Sequence, residues 1–506
     1  MIERFARLAL PLAALGVLAA CGDSPEVLFD KARADFAAQD YQAARLEVAS
    51  ALRDDPGNKA MLDLLVRAHL RLNDPDGAEG AIDRLARAGG EARDLALYKA
   101  GVALMRGRSD EVLSLLGDDA RPAAWGVRGQ ALLAKGDEKG AVAAFDKGMA
   151  AGDDMPLAEA YARYRLISGN PDGAEAVHAR MQRMAPKAYE TLVLAGDIAA
   201  ARGQTQKAVA AFEAVTKAFP QKLPPLIALA NQYDMLGAVD KAMAVVERAE
   251  KLDGGNPAVD DLRIQLLAEK GEWEKIRLAM QGQESRLVPG SGTQMKYAEA
   301  LLRLGKAEQA RILFKRATLA LPANPYARLM LGEAELAAGQ TQQAWQTLKP
   351  LAMSTLADPE ELQAGADAAK AVGAPEAGAL QARLDPTALK TRMAKVEAGQ
   401  NALMKGEWAE AHAIYTDLLS LGEDGEVLRR LAAASEGLKQ GDAAVAYADR
   451  ALALELDNPD YLFMAGMLRL EFGQDRAKAR RLIENAASLD PDNADIARGL
   501  KLAGAA

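Results

Sequence analysis

The sequence predicts an all-α protein, an α-solenoid superhelix of about fourteen two-helix repeats, and three observations predict it. One residue pattern returns every 34 residues, each copy holds two helical stretches with their own stop signals, and the composition suits helices that pack closely. Half of the 506 residues are apolar but only 5% are aromatic, with alanine supplying much of the remainder, so a β-rich fold is disfavoured.

The period emerges when residues 201–215, 234–249 and 302–317 are aligned. Alanines fall at 208, 242 and 310, Ile276 fills the gap and Ala344 follows, each a step of 34. Extended both ways, the anchors are Ala44, Ala78, Val112, Ala141, Ala174, Ala377, Ala411, Ala444 and Ala479, so the array fills residues 25–494. Gly136, Gly203, Gly237, Gly305, Gly339 and Gly406 each follow an apolar helical stretch, where a left-handed terminating residue is wanted. Pro56, Pro186, Pro220, Pro322 and Pro491 close the second stretches, because proline cannot continue a helix. Between the stops, apolar residues recur at three- and four-residue spacing, as in Val209, Phe212, Val215 and Phe219. No copy can bury its apolar face alone, so stacking must make one continuous core.

Period and pattern resemble the tetratricopeptide repeat (TPR), a pair of antiparallel helices nested through small residues. Trp125, Gly129, Leu132, Gly136, Ala141 and Phe145 fall on that family's aromatic, small, large, turn, small and aromatic positions. Gly196, Gly203, Ala208, Phe212 and Pro220 do the same in one later copy, and Ala298, Leu301, Gly305, Ala310, Phe314, Ala317 and Pro322 in another. Three copies depart from the pattern, near 93–121, 257–290 and 358–384. There irregular geometry is expected, with a hinge near 385 dividing an array over 25–384 from C-terminal repeats over 385–506.

The N-terminus reads as an address. Arg4 and Arg7 precede an apolar run from Leu8 to Ala20, the layout of a secretory signal over 1–20 and shorter than the roughly 20 residues a spanning helix needs. Leu18, Ala19, Ala20 and Cys21 resemble the lipobox of bacterial lipoproteins. The resemblance implies cleavage before Cys21, a diacylglyceryl group on its sulfur and an acylated amino group, leaving 21–24 as a lipidated tether. One acyl chain binds only marginally at about 0.8 kcal/mol per buried methylene, and two or three chains hold. Gly22, where an aspartate would favour retention in the inner membrane, leans the expectation towards the outer membrane, facing the periplasm.

Composition excludes several functions. A net charge of −9 and the absence of any long basic run argue against nucleic-acid binding, and a single cysteine excludes an intramolecular disulfide framework. His69, His178 and His412 are too scattered for a metal cluster, and no nucleotide loop, zinc-protease helix or nucleophile elbow occurs. No cofactor, metal or catalytic residue is therefore expected. Trp273 and Trp408, both in the phrase GEW at the start of a second helix, are read as packing residues rather than a ligand platform.

By the resemblance, first helices line the inner groove of such a superhelix. The ninth positions there are Gln130, Asp197, Asn231, Glu299, Glu333 and Gln400, and a single asparagine among them argues against a carboxylate clamp. Candidate groove contacts are Tyr326, Tyr461, Asn231, Glu299 and Glu333, with the two tyrosines open to a second role, capping the preceding loop. Residues 24–58 also resemble the opening of TPR lipoproteins of the PEP-CTERM and exopolysaccharide type, through the phrase D-Y-x-x-A-x-x-x-x-x-x-A-L. The function expected is a non-enzymatic, membrane-anchored scaffold whose groove holds envelope proteins or peptide segments, in exopolysaccharide export or protein sorting. The competing class is a periplasmic substrate-binding or chaperone-like protein, or an enzyme with an unrecognised site.

Overall fold

The computed structural model describes residues 23–322, 324–491 and 493–505. Cys21, Gly22 and the signal stretch 1–20 lie outside the described residues. Among those described there are twenty-nine α-helices, one short 3-10 turn at Glu284–Arg286 and no strand.

The chain divides after Gly237 into two compact bodies. The first holds α1 (Pro25–Ala37), α2 (Tyr41–Asp54), α3 (Lys59–Arg71), α4 (Pro75–Arg87), α5 (Ala92–Met105), α6 (Ser109–Leu116) and α7 (Pro122–Ala134). It continues with α8 (Glu138–Ala151), α9 (Met155–Ile167), α10 (Pro171–Met184), α11 (Tyr189–Ala201), α12 (Thr205–Ala218) and α13 (Leu223–Met235). The second body holds α14 (Val239–Leu252), α15 (Pro257–Glu269), α16 (Trp273–Met280), α17 (Gly292–Arg303), α18 (Ala307–Ala320), α19 (Pro325–Ala337), α20 (Thr341–Met353) and α21 (Pro359–Val372). It ends with α22 (Ala377–Arg383), α23 (Pro386–Lys405), α24 (Trp408–Leu419), α25 (Gly425–Gly437), α26 (Gly441–Leu454), α27 (Pro459–Glu471), α28 (Arg476–Leu489) and α29 (Ala494–Ala505). Odd-numbered helices open the repeats and even-numbered ones close them.

Local chemistry sets each helix. Asn58, Asp74, Asp137, Asn170, Asn256, Asn324 and Asn458 accept backbone N–H bonds at helix starts, and Asp358 with Glu361 forms a reciprocal capping box on α21. The turn inside every repeat reverses through one left-handed residue, at positions 39, 73, 107, 136, 169, 203, 237, 271, 305, 339, 373, 406, 439 and 473. Glycine fills all of these except Gln39, Asn73 and Lys439, because a Cβ is strained there.

Packing explains the period. Thirteen of the fourteen anchors are completely buried, from Ala44 to Ala479, including Val112 and Ile276. The fourteenth, Ala377, is only half-buried in the seven-residue α22, where Leu380 takes the core position instead. Opposite the anchors, the glycines of the first helices lie on large side chains. A Cβ on Gly129 would come within 2.5 Å of the Phe145 ring, and one on Gly196 within 2.6 Å of Phe212. Helices therefore approach closely only where one of them is bare, which is the physical content of the small positions.

Second helices α6, α16 and α22 have only seven or eight residues, and they sit in the three copies that depart from the pattern. Around the last of these the chain makes a joint of its own. Asp385 caps α23 and Pro386 takes its first turn, so that dipeptide opens a 20-residue helix. Asp424, 6% exposed, accepts bonds from Ser354 Oγ at 2.6 Å, Thr355 N at 2.7 Å, Thr355 Oγ1 at 3.1 Å and Val427 N at 2.9 Å. Arg383 donates to the Ala352 carbonyl at 2.8 Å and Arg392 to that of Thr355 at 3.1 Å. The loop after α20 is thus fastened to the start of α25, with α22 and α23 each adding an arginine. The last helix, α29, begins 35 residues after α27, where another first helix falls due, and packs on α27 and α28 with Ile496 buried in their shared core.

Candidate interaction surfaces

Within each body successive first helices also touch, α5 with α7 and α7 with α9, and likewise α15 with α17 and α17 with α19. They form one face, and the polar side chains on it decide what the array can hold. Tyr326, Glu299 and Glu333 meet there in the second body. The Tyr326 hydroxyl donates to Glu299 Oε2 at 2.7 Å, and Lys296 at 3.1 Å and Arg303 at 3.6 Å balance the same carboxylate. Burial, then the Glu299 bond, pushes the Tyr326 hydroxyl up, and burial also raises the Glu333 carboxyl.

Tyr461 and Asn231 stand elsewhere. Tyr461 is 3% exposed and donates to Glu426 Oε1 at 3.2 Å, so it is part of the packing of α27 on α25. Asn231 is exposed on α13, in the first body. Both tyrosines thus bond a carboxylate of the preceding first helix rather than capping a loop.

A cavity of about 1070 Å³ opens in the second body, between the starts of α19, α21 and α27 and the length of α25. Arg328, Glu361, Arg430, Glu436, Asp460 and Met464 are on its wall. Burial raises the carboxyls of Glu361 and Asp460. Glu436 goes furthest, to about 7, through burial and then a hydrogen bond with Glu471. Both glutamates lie in the last turn of a helix, where the dipole disfavours negative charge. Of the polar residues on this wall, sequence reading named only Tyr461, since nothing in a 34-residue period says which polar positions several repeats bring to one hollow.

The histidines and tryptophans have structural partners. His69 Nδ1 lies 2.8 Å from the capping Asp74, and His178 Nε2 donates to the Thr191 carbonyl at 3.0 Å. The His412 and Tyr447 rings pack edge to face with their centroids 5.9 Å apart. A Cβ on Gly437 would come within 2.2 Å of the Trp408 ring, so that indole lies flat on α25, and Trp273 packs on the core around Ile276. Among the described residues no group of three His, Cys, Asp or Glu is placed to hold a metal ion, and no helix is long and apolar enough to cross a membrane.

Sequence models of the tetratricopeptide repeat match residues 199–266, and, for a second model, residues 64–120 and 296–349. No curated protein matches the chain. Among solved structures, it overlaps the APC/C hetero-tetramer Cut9–Hcn1 at 16% identity over 95% of this chain and 96% of that one, with a TM-score of 0.38. It overlaps Naa15/Naa10 bound to HypK-THB at 16% identity over 93% of this chain and 64% of that one, with a TM-score of 0.29. Residues 64–120, 199–266 and 296–349 thus carry tetratricopeptide repeats, within an all-α solenoid fold.

Proposed function

We propose that this chain is a non-catalytic scaffold which holds protein segments on the faces of its first helices, tethered to a bacterial envelope membrane by lipid on Cys21. The observation that carries the scaffold reading is the cavity of about 1070 Å³ in the second body, walled by first helices from separate repeats. Its mixture of arginines, buried carboxyls and apolar side chains suits a peptide carrying both charges and apolar groups. The lipobox residues Leu18 to Cys21 support the anchor, Gly22 supports the outer membrane, and the likeness of residues 24–58 supports a place in exopolysaccharide export or protein sorting.

Photo-crosslinkers at Arg328 and Met464, both on the cavity wall, test the scaffold. A common protein partner should be captured from both positions and lost when Phe463 beside them becomes aspartate. Cys21→Ser tests the anchor. It should leave the repeats folded and move the protein out of the membrane fraction, and a variant still bound after high-salt washing would exclude lipid on that cysteine.

A further inference from the structure

The first body carries contacts between residues far apart in sequence that neighbour-to-neighbour stacking does not explain. The turn between α1 and α2 reaches the starts of α11 and α13. Gln39 Nε2 donates to Glu190 Oε1 at 2.5 Å, and Lys222 Nζ donates to the Gln39 carbonyl at 2.9 Å, across 151 and 183 residues of chain. Beside them the Tyr41 ring lies 5.3 Å from the Arg71 guanidinium and 5.8 Å from the Lys222 ammonium. Arg71 Nε donates to the Tyr41 hydroxyl at 3.1 Å and its Nη2 to Glu190 at 2.7 Å, with Glu159 at 3.7 Å. The Glu190 side chain is 9% exposed. Lys222 also faces the Tyr189 ring at 5.9 Å.

This seat is built like a recognition site. Two cations flank one aromatic ring, a buried carboxylate takes an amide, and an ammonium takes a main-chain carbonyl. Burial pushes the Tyr41 hydroxyl up and the Lys222 ammonium down, so both groups have given up water to be there. A second observation comes from the backbone. Gln39 has φ of 64°, at a turn position where eleven of the fourteen repeats use glycine. A side chain kept at a strained position, and used there for a contact across the body, is retained for the contact.

We propose that the Gln39–Tyr41 turn is an intramolecular latch occupying a partner-binding seat made by Arg71, Glu159, Glu190 and Lys222, and that a partner segment presenting an aromatic ring beside a carboxamide displaces it. The proposal rests on the scaffold reading and specifies the partner chemistry of the first body. Its occupant is defined by what already sits there, a turn offering an amide and a carbonyl from Gln39 and then the ring of Tyr41.

Hydrogen exchange on the full chain tests the latch. Glycine suits a left-handed turn better than glutamine does, so Gln39→Gly should slow local exchange if the turn is only a turn. If it is a latch, Gln39→Gly and Tyr41→Ala should each speed exchange at the starts of α11 and α13 about tenfold or more and leave α14–α29 unchanged. Unchanged or slower exchange at those starts in Gln39→Gly would overturn the latch. A labelled peptide of residues 36–44, FAAQDYQAA, should bind Tyr41→Ala at least tenfold more tightly than the parent chain, which must release its own turn first. Equal affinity for the two, or no binding to Tyr41→Ala, would overturn displacement. Crosslinked partners confined to the second body would leave the scaffold standing while removing this seat from it.

Discussion

Lys439 and Gly203 occupy equivalent turns with φ of 59° and 65°, yet only one of them is glycine. Since a side chain in this region costs roughly 1 kcal/mol, Lys439→Gly should stabilise the second body by about 0.5–1 kcal/mol, less the exposed Glu471 contact at 3.1 Å. Gly203→Ala should destabilise the first body by about 1 kcal/mol, although no atom lies within 4 Å of its missing Cβ. Urea midpoints of the two variants should move in opposite directions, and movement the same way would contradict the assignment of strain. Glu436 makes a different residue-scale prediction. Its carboxyl is raised from the ordinary 4.5 to about 7, so the folded chain holds the proton more tightly than the unfolded one. That contribution is full below about pH 4.5 and is lost as pH rises through about 7. Exposure to solvent screens it to about 1 kcal/mol. Stability of the parent should therefore fall relative to Glu436→Gln between pH 5 and 8, and parallel curves would exclude the effect.

At the scale of elements, the repeat pattern was legible because its causes are local. A stop residue, a cap and a bare position opposite a large one act within a single helix pair, so the small anchors and the turn glycines could be read directly. Ala377 was misplaced for a local reason too, since α22 is too short to present the same face as other second helices. The joint at Asp424 was not legible. Its partners Ser354 and Thr355 lie 70 and 69 residues away, in a loop that looks like any other. Asp424→Ala removes an acceptor of four bonds and should destabilise the second body by about 2–4 kcal/mol, whereas Asp424→Asn keeps a capping oxygen and should cost less. Thermal unfolding of both variants checks this, and a cost near zero for alanine would show that apolar packing around Leu356 holds the joint instead. The closing helix α29 begins 35 residues after α27 and so keeps the period, although the sequence reading ends the array at 494.

At the scale of the molecule, stability in a repeat array is a sum of neighbour terms, so the two compact bodies need not melt together. Trp125 lies in the first body and Trp345 in the second. Chains retaining one tryptophan each should show different urea midpoints by fluorescence, and superimposable transitions would mean a single cooperative unit. The sequence by itself determined the number of repeats, their helices and the residues that let them nest, because these follow from spacing and steric size along a few consecutive turns. It also carried the run from Leu18 to Cys21, whose resemblance to a lipobox is local and needs no fold. Only the tertiary structure decided which polar residues share a surface. Glu436 and Asp460 on one cavity wall, and Gln39 and Tyr41 on the seat at Glu190, depend on how successive repeats curve. That curvature is set by small differences in packing at every helix pair, and it accumulates over distances that no local pattern records.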